Sequence, residues 1–363
     1  MTQDERLGEV RRQIDAIDGE LLRLLSERAR CAQQVAEVKQ AAGETAFYRP
    51  EREAQVLRRV VADNPGPLTA DAVTHIFREI MSACLALERP LTVAYLGPPG
   101  TFSQDATHKH FGQAVSSLPQ ATIEQVFREV DAGAADYGVV PIENSTEGAV
   151  THTLDMFMSS PLKVCGEVEL AVHQQLLSRE ADLSTVGIVY SHAQSLAQCR
   201  RWLAGHLPGV RTEAVSSNAE AARRAAGEAG AAAIAGESAG RLYDLSRLAA
   251  NIEDEPGNTT RFLVIGRQDT QPSGRDKTSL LLSTGNRPGA LAGLLEPLRR
   301  HGVSMTRIES RPARTGRWQY VFFVDIEGHV LDTPVQQVLA ELREVAALCK
   351  VLGAYPRAMA EAS

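Results

Sequence analysis

Leu7, Val10, Ile14, Ile17, Leu21, Leu24, Arg28, Cys31, Val35 and Val38 fall alternately three and four residues apart, the spacing of a heptad seam. No proline interrupts the run between about residues 4 and 42. At about 1.5 Å per residue the run predicts one helix roughly 55 Å long, too long for a compact lone domain. Its apolar stripe therefore calls for a second copy of the chain. Pro50 opens a second helix, Glu51 to Asp63, because proline suits a first helical turn. Pro65-Gly66-Pro67 stops it, and Thr69 caps a third helix with Val73, Ile76, Phe77, Ile80, Cys84 and Leu87 facing inward.

Arg28 breaks the seam, since a leucine would be expected there and a buried arginine is costly unless an anion meets it. Lys39, eleven residues on, lies about 20° away around the helix, so the two cations share a face. Arg11 is rotated by roughly 100° from Arg28 and would serve a different neighbour, the partner chain's site. Arg52 and Glu53 on the second helix and Glu88 at the end of the third can close the same pocket.

The 363 residues, 44% hydrophobic and 23% charged, suit a globular chain of two or three domains. A net charge of −7 without a long basic run argues against nucleic acid or an anionic membrane as partner. Five scattered cysteines without a CxxC pair fit a reducing cytoplasm and argue against a disulfide framework or a structural zinc. The charged N-terminus does not read as a signal peptide, and no apolar run approaches membrane-spanning length.

From Leu91 the pattern changes to alternating strands and helices, expected near residues 91–96, 137–140, 186–190, 210–214 and 231–235. This is the signature of an α/β sheet with ligands at the strand ends. Polar clusters mark those ends: Gly97-Pro-Pro-Gly-Thr101-Phe-Ser, then Glu143-Asn144-Ser145, then Ser191-His192 with Gln194. The last is Asn258-Thr259-Thr260-Arg261 ahead of an apolar strand, Phe262 to Ile265. The glycines match neither GxGxxG nor a Walker loop, which disfavours nucleotide binding. Threonine can protonate a departing group, and arginine can hold a carboxylate. Beyond residue 276 the order βαββαβ is ferredoxin-like. Gly289-Ala290-Leu291 opens its first helix and Glu309-Ser310-Arg311 follows on a strand; the helix N-terminus can receive a carboxylate and Glu309 an ammonium.

The first segment, carrying Arg11, Arg28, Lys39, Arg52-Glu53 and Glu88, resembles the all-helical chorismate mutases, which are intertwined dimers. That resemblance implies a pericyclic rearrangement of chorismate to prephenate without nucleophile, metal or cofactor. Arg11 and Arg28 would clamp carboxylates, Lys39 would meet the ether oxygen and Glu53 the ring hydroxyl. Glu88 stands where glutamine is common, and a carboxylate there donates a hydrogen bond only when protonated, so the rate should rise toward acid pH. Arg49 and Cys84 also depart from the usual pattern, at positions that would touch substrate.

The strings GPPGTFS, VVPIENS, YSHAQ and NTTRF, in that order, resemble prephenate dehydratase, a two-lobed α/β fold like the periplasmic binding proteins. The resemblance implies Thr260 as the acid that protonates the departing ring hydroxyl, assisted by Glu143 or His192. Thr101, Asn144, Ser145, Ser191 and Gln194 would orient prephenate, and Arg261 would hold a carboxylate or fix the loop. The C-terminal segment resembles the ACT domain of such dehydratases, implying inhibition by phenylalanine at Gly289, Ala290, Leu291, Glu309, Ser310 and Arg311. The resulting expectation is three modules, residues 1–90, 91–270 and 277–355, in a cytoplasmic homodimer or higher oligomer. Two other readings fit the same residues: an amino-acid sensor with vestigial catalysis, and a dehydratase whose helices only dimerise.

Overall fold

The computed structural model describes residues 2–43, 48–285, 287–313 and 320–359. The N-terminal module is three helices, α1 (Gln3–Ala41), α2 (Pro50–Ala62) and α3 (Ala70–Glu88). Thr2 caps α1 reciprocally with Glu5, and Thr69 caps α3 by accepting from the amide of Ala72 at 3.2 Å. Ala36 is the one residue of α1 buried within a single chain. The seam residues Leu7, Val10, Ile14, Ile17, Leu21 and Leu24 are exposed, and so are Ile76 and Leu87 on α3, both expected inside. Packing against α3 thus leaves the long stripe of α1 uncovered, the condition under which a helix pairs with another.

The first α/β lobe begins with β1 (Thr92–Leu96), α4 (Phe102–Phe111), β2 (Ser116–Gln120) and α5 (Ile123–Asp131). It continues through β3 (Tyr137–Asn144), the short β4 (Gly148–Ala149), α6 (Thr151–Ser159) and β5 (Lys163–Ala171). The chain then crosses into a second lobe. This holds β6 (Gln175–Ser178), β7 (Ile188–His192), α7 (Ala193–Gln198), α8 (Arg200–His206), β8 (Arg211–Val215), α9 (Asn218–Gly227), β9 (Ala231–Ala235), α10 (Glu237–Tyr243) and β10 (Ser246–Ala249). It returns in β11 (Thr259–Gly266), which enters the first sheet between β3 and β5 in the order β2-β1-β3-β11-β5. The second sheet runs β10-β6-β9-β7-β8. Two chain crossings thus join two lobes. In the second lobe, Ala219, Ala221, Ala222 and Ala225 of α9 meet the all-buried strand Ala231–Ala235, small side chains on both partners allowing close approach.

The C-terminal module is β12 (Asp276–Ser283), α11 (Ala290–Arg300), β13 (Met305–Pro312), β14 (Tyr320–Glu327), α12 (Thr333–Val345) and β15 (Leu348–Pro356). Its sheet, β13-β14-β12-β15, has the expected βαββαβ order. The first lobe is the hub of the molecule. Leu281, Val321, Phe323, Leu352 and Tyr355 of the C-terminal module share one core with Val140, Leu154, Phe157 and Leu263 of that lobe. Gly353 permits the contact, because a Cβ there would collide with the Val164 backbone of β5. From the other side Tyr48 is buried against His110, Phe111 and Tyr137. No described helix is long and apolar enough to cross a membrane.

Candidate active site

β3 and β11 run antiparallel with Thr260 opposite Asn144 and Arg261 opposite Glu143. Thr260 and its neighbours therefore lie within a strand, not in the loop ahead of it. Successive side chains of a strand point to opposite faces, so Thr260 and Arg261 serve different neighbours.

On the Thr260 side of the sheet the Asn144 side chain is fully used. Its Oδ1 accepts from the amides of Thr146 (3.0 Å) and Glu147 (3.1 Å). That leaves Nδ2 as the donor, and it donates to Thr260 Oγ1 and to Asn258 Oδ1, each at 2.8 Å. Since Thr260 Oγ1 accepts from Asn144, its own proton remains available to another acceptor. Asn258, buried, donates to Gln198 Oε1 at 3.4 Å. Gln174 Nε2 donates to Gln198 Oε1 (3.3 Å) and to Ser195 Oγ (3.2 Å). Asn218 Nδ2 donates to the same Ser195 oxygen at 2.9 Å. Ser191, buried, donates to Ile234 O at 2.8 Å and lies 3.0 Å from Asn218 Oδ1. A polar chain thus links Thr260 in the first lobe to Ser191 in the second.

The other expected positions are placed as follows. Ser145 Oγ accepts from the Thr259 amide at 3.0 Å. Thr101 precedes α4 and its hydroxyl donates to Leu96 O at 3.1 Å. Gln194 sits in the first turn of α7, where its amide meets His192 Nδ1 at 3.4 Å. Of the two groups proposed to assist Thr260, His192 is thus a helix cap, and Glu143 is paired with Arg307 of β13 at 2.7 Å. Asn144 holds the position expected of either. Arg261 holds protein carboxylates: Glu167 at 2.9 Å and Asp325 at 2.7 Å, with Tyr355 Oη at 3.1 Å. It fixes the strand and is not open to a substrate. Gln174 and Asn218 carry no site signal in the sequence; Asn258 opens the Asn-Thr-Thr-Arg cluster and Gln198 follows the YSHAQ string, both without an assigned role.

In the helical module Lys39 Nζ lies 3.5 Å from Glu88 Oε2, so α1 and α3 bring that pair together. That oxygen is buried and has no hydrogen-bond partner among the described residues. Arg11 and Arg28 are exposed in the single chain, Arg28 included despite its seam position, because nothing covers that face of α1. Arg49 is the N-cap of α2, Arg52 is exposed and Cys84 is buried. Glu53 departs from expectation. It pairs with Arg78 of α3 at 3.6 Å and lines a pocket with Tyr48, His110, Gly166 and Glu167, against the first lobe. Burial pushes its carboxyl up to about 7, against the opposing pull of Arg78 and Tyr48.

A raised carboxyl favours folding while it is neutral, so this contribution is complete below the ordinary value near 4.5 and is lost as pH rises through 7. Glu53→Gln should melt at nearly the wild-type temperature at pH 4.5 and above it at pH 8, by an equivalent of up to about 3 kcal/mol. Melting curves at the two pH values decide it: a gap that does not widen with pH means Glu53 does not titrate in that window.

In the C-terminal module Gly289 has φ +76° and precedes α11, with Ala290 and the exposed Leu291 in its first turn. Arg307 and Arg311 of β13 both reach the first lobe, Arg311 bonding Asp155 at 2.9 Å. Glu309 lies between them on the same strand face, and Ser310 is exposed. Arg311 thus tethers the module to its neighbour. A cavity of about 1160 Å³ between α3, α4 and α10 contains none of the Thr260 cluster.

Residues 93–270 match the family model described as prephenate dehydratase, residues 10–89 that of chorismate mutase type II, and residues 278–345 the ACT domain. Fold and matches together define an enzyme of two catalytic modules and one regulatory module. The bifunctional chorismate mutase/prephenate dehydratase of Pseudomonas aeruginosa is 55% identical over 364 residues, covering 99% of this chain and 100% of that protein. The Escherichia coli protein of the same name is 34% identical over 383 residues, covering 98% and 97%. The chain belongs to the bifunctional chorismate mutase/prephenate dehydratase family. Among solved structures, the prephenate dehydratase of Arthrobacter aurescens in complex with L-Phe superimposes with a TM-score of 0.68 at 34% identity, covering 74% of this chain and 90% of that one. These matches favour the two-enzyme reading over a sensor or a dehydratase with inert helices.

Proposed function

We propose that the helical module, residues 1–90, rearranges chorismate to prephenate, and that the two-lobed module, residues 91–270, converts prephenate to phenylpyruvate. In the first reaction Arg28, and Arg11 from a second copy, hold the two carboxylates while Lys39 stabilises the breaking ether bond. The gain comes from folding a dianion into a compact conformer and meeting the charge that develops on oxygen. In the second reaction prephenate loses carbon dioxide and its ring hydroxyl. Breaking the ring-to-carboxylate bond supplies the electron pair that expels the hydroxyl as water, and the ring becomes aromatic. The protein has to deliver a proton and hold the two carboxylates.

The observation that carries this reading is the Asn144–Thr260 hydrogen bond, with Asn144 as donor at 2.8 Å. It leaves the threonine proton to the departing hydroxyl, which takes it and leaves as water; solvent returns a proton to the threonine afterwards. The C-terminal module, residues 277–355, binds phenylalanine near Gly289–Leu291 and Glu309–Ser310 and lowers dehydratase turnover. The uncovered seam of α1 supports a homodimer, and the five unpaired cysteines support a reducing, cytoplasmic setting.

The test is to assay the two reactions separately on the purified chain. Chorismate consumption and prephenate consumption should both be enzymatic, and added phenylalanine should depress the second. Prephenate turnover without any mutase activity across the acid range, down to about pH 4 where an ordinary glutamate takes up its proton, would reduce the helices to a dimerisation device.

A further inference from the structure

Glu143 and Arg261 are cross-strand partners on β3 and β11, and Arg307 and Asp325 are cross-strand partners on β13 and β14. Each pair carries one acid and one base, yet the short bonds run between the two sheets. Arg307 Nε donates to Glu143 Oε2 at 2.7 Å, and Arg261 Nη1 donates to Asp325 Oδ2 at 2.7 Å. The four residues form a crossed quartet at the contact between the first lobe and the C-terminal module. A β-bulge adjoins it on both sides, between Arg261 and Phe262 and between Met305 and Arg307. Bulges are used beside active sites to aim side chains.

Two residues of this quartet are the chain neighbours of the catalytic pair. Glu143 precedes Asn144 and Arg261 follows Thr260, each pointing through the sheet away from its neighbour. The hold is uneven. Arg261 is further fixed by Glu167 and Tyr355, and Asp325 by a hydrogen bond from Ser279 at 2.5 Å. Arg307 has a side chain only 10% exposed, and its buried Nη2 meets no acceptor among the described residues. Its bond to Glu143 is therefore the joint of the quartet most easily remade, and it sits two residues from Glu309 on the strand read above as touching the effector.

We propose that Arg307 and Asp325, in the regulatory module, are positioning residues for the dehydratase reaction. Through Glu143 and Arg261 they hold β3 and β11 so that the Asn144–Thr260 hydrogen bond keeps the threonine proton aimed at the leaving hydroxyl. An effector acts on that step by shifting Arg307. This rests on Thr260 being the acid, and a control separates the two ideas: an active Thr260→Val enzyme refutes the reading of Thr260, whatever the quartet does.

The experiment compares Arg307→Gln, Glu143→Gln, their double variant and the charge swap Glu143→Arg/Arg307→Glu in the full chain. Each single substitution should lower kcat on prephenate by about tenfold or more, with KM little changed. Each should also blunt inhibition by phenylalanine and leave chorismate turnover intact. The double variant should be no worse than either single, as for two ends of one interaction, and the swap should recover part of kcat. Glu143→Gln keeps shape at a partly exposed side chain, and intact mutase activity reports a folded chain. Singles that keep both kcat and inhibition within about twofold of wild type, or defects that multiply in the double variant, overturn the proposal.

Discussion

Thr260→Val should abolish most prephenate turnover, by about 10²–10⁴-fold, the range lost when a positioned proton donor is removed. Valine keeps the branched shape that β11 prefers, so the strand ladder to Asn144 and Leu170 survives. What disappears is one oxygen, which both accepts from Asn144 and carries the proton. The Asn144 amide loses an acceptor, at a cost of about 1–3 kcal/mol to local stability, while its bond to Asn258 persists. Chorismate turnover should be unchanged because the helical module shares no residue with this cluster. The decisive measurement is kcat on prephenate beside kcat on chorismate. A variant that keeps a third of its prephenate turnover means another group delivers the proton.

The mirror experiment removes the cations of the helical module. Lys39→Ala, and separately Arg28→Ala, should cost about 10²–10³-fold in chorismate turnover, comparable to loss of one oriented donor at a developing oxyanion. Prephenate turnover should stay near wild type in both. Lys39 is the sharper probe because it is largely buried and lies beside Glu88. Its removal also takes the neighbouring cation away from the buried Glu88 oxygen. Parallel loss of both activities would mean the substitution disturbs the packing of the module against the first lobe, and the separate-site reading would fail.

The first helix could be read from the sequence because a 3.5-residue period repeated over five heptads has no other explanation. The strands were harder. Lys163–Ala171 is a nine-residue strand at the edge of the first sheet, but glutamates and a glycine interrupt its alternation, and it was not anticipated. The edge strand Ser116–Gln120 is mostly Ser, Pro and Gln, with half-exposed positions, and carries no strand signal at all.

The site shows a subtler limit. Asn258 to Arg261 reads as one polar cluster, yet consecutive residues of a strand face opposite ways. Thr260 meets Asn144, and Arg261 meets Asp325 of the C-terminal module. The same holds for Glu143 and Asn144. A string of letters cannot say on which side of a sheet a charge finds its partner when that partner is Asp325 or Arg307, more than sixty residues or more than a hundred and sixty away. Arg28 is legible for a related reason only in part: its oddness is local, but the surface that would surround it belongs to another chain.

Tyr48 fills a recess walled by His110, Phe111 and Tyr137, its hydroxyl 3.1 Å from His110 Nε2, and Gln268 donates to its carbonyl oxygen at 3.2 Å. It belongs to the connection between α1 and α2, so the mutase module plugs a socket in the dehydratase lobe. The two enzymes are consequently not beads on a string. A dehydratase severed at residue 90 would open that aromatic socket to water and release the clasp on Gln268, just ahead of the segment that leads to the regulatory module. Fusing or splitting such enzymes in evolution, or at the bench, therefore requires a new tenant for the socket, and a bare cut should yield a protein that sticks to itself.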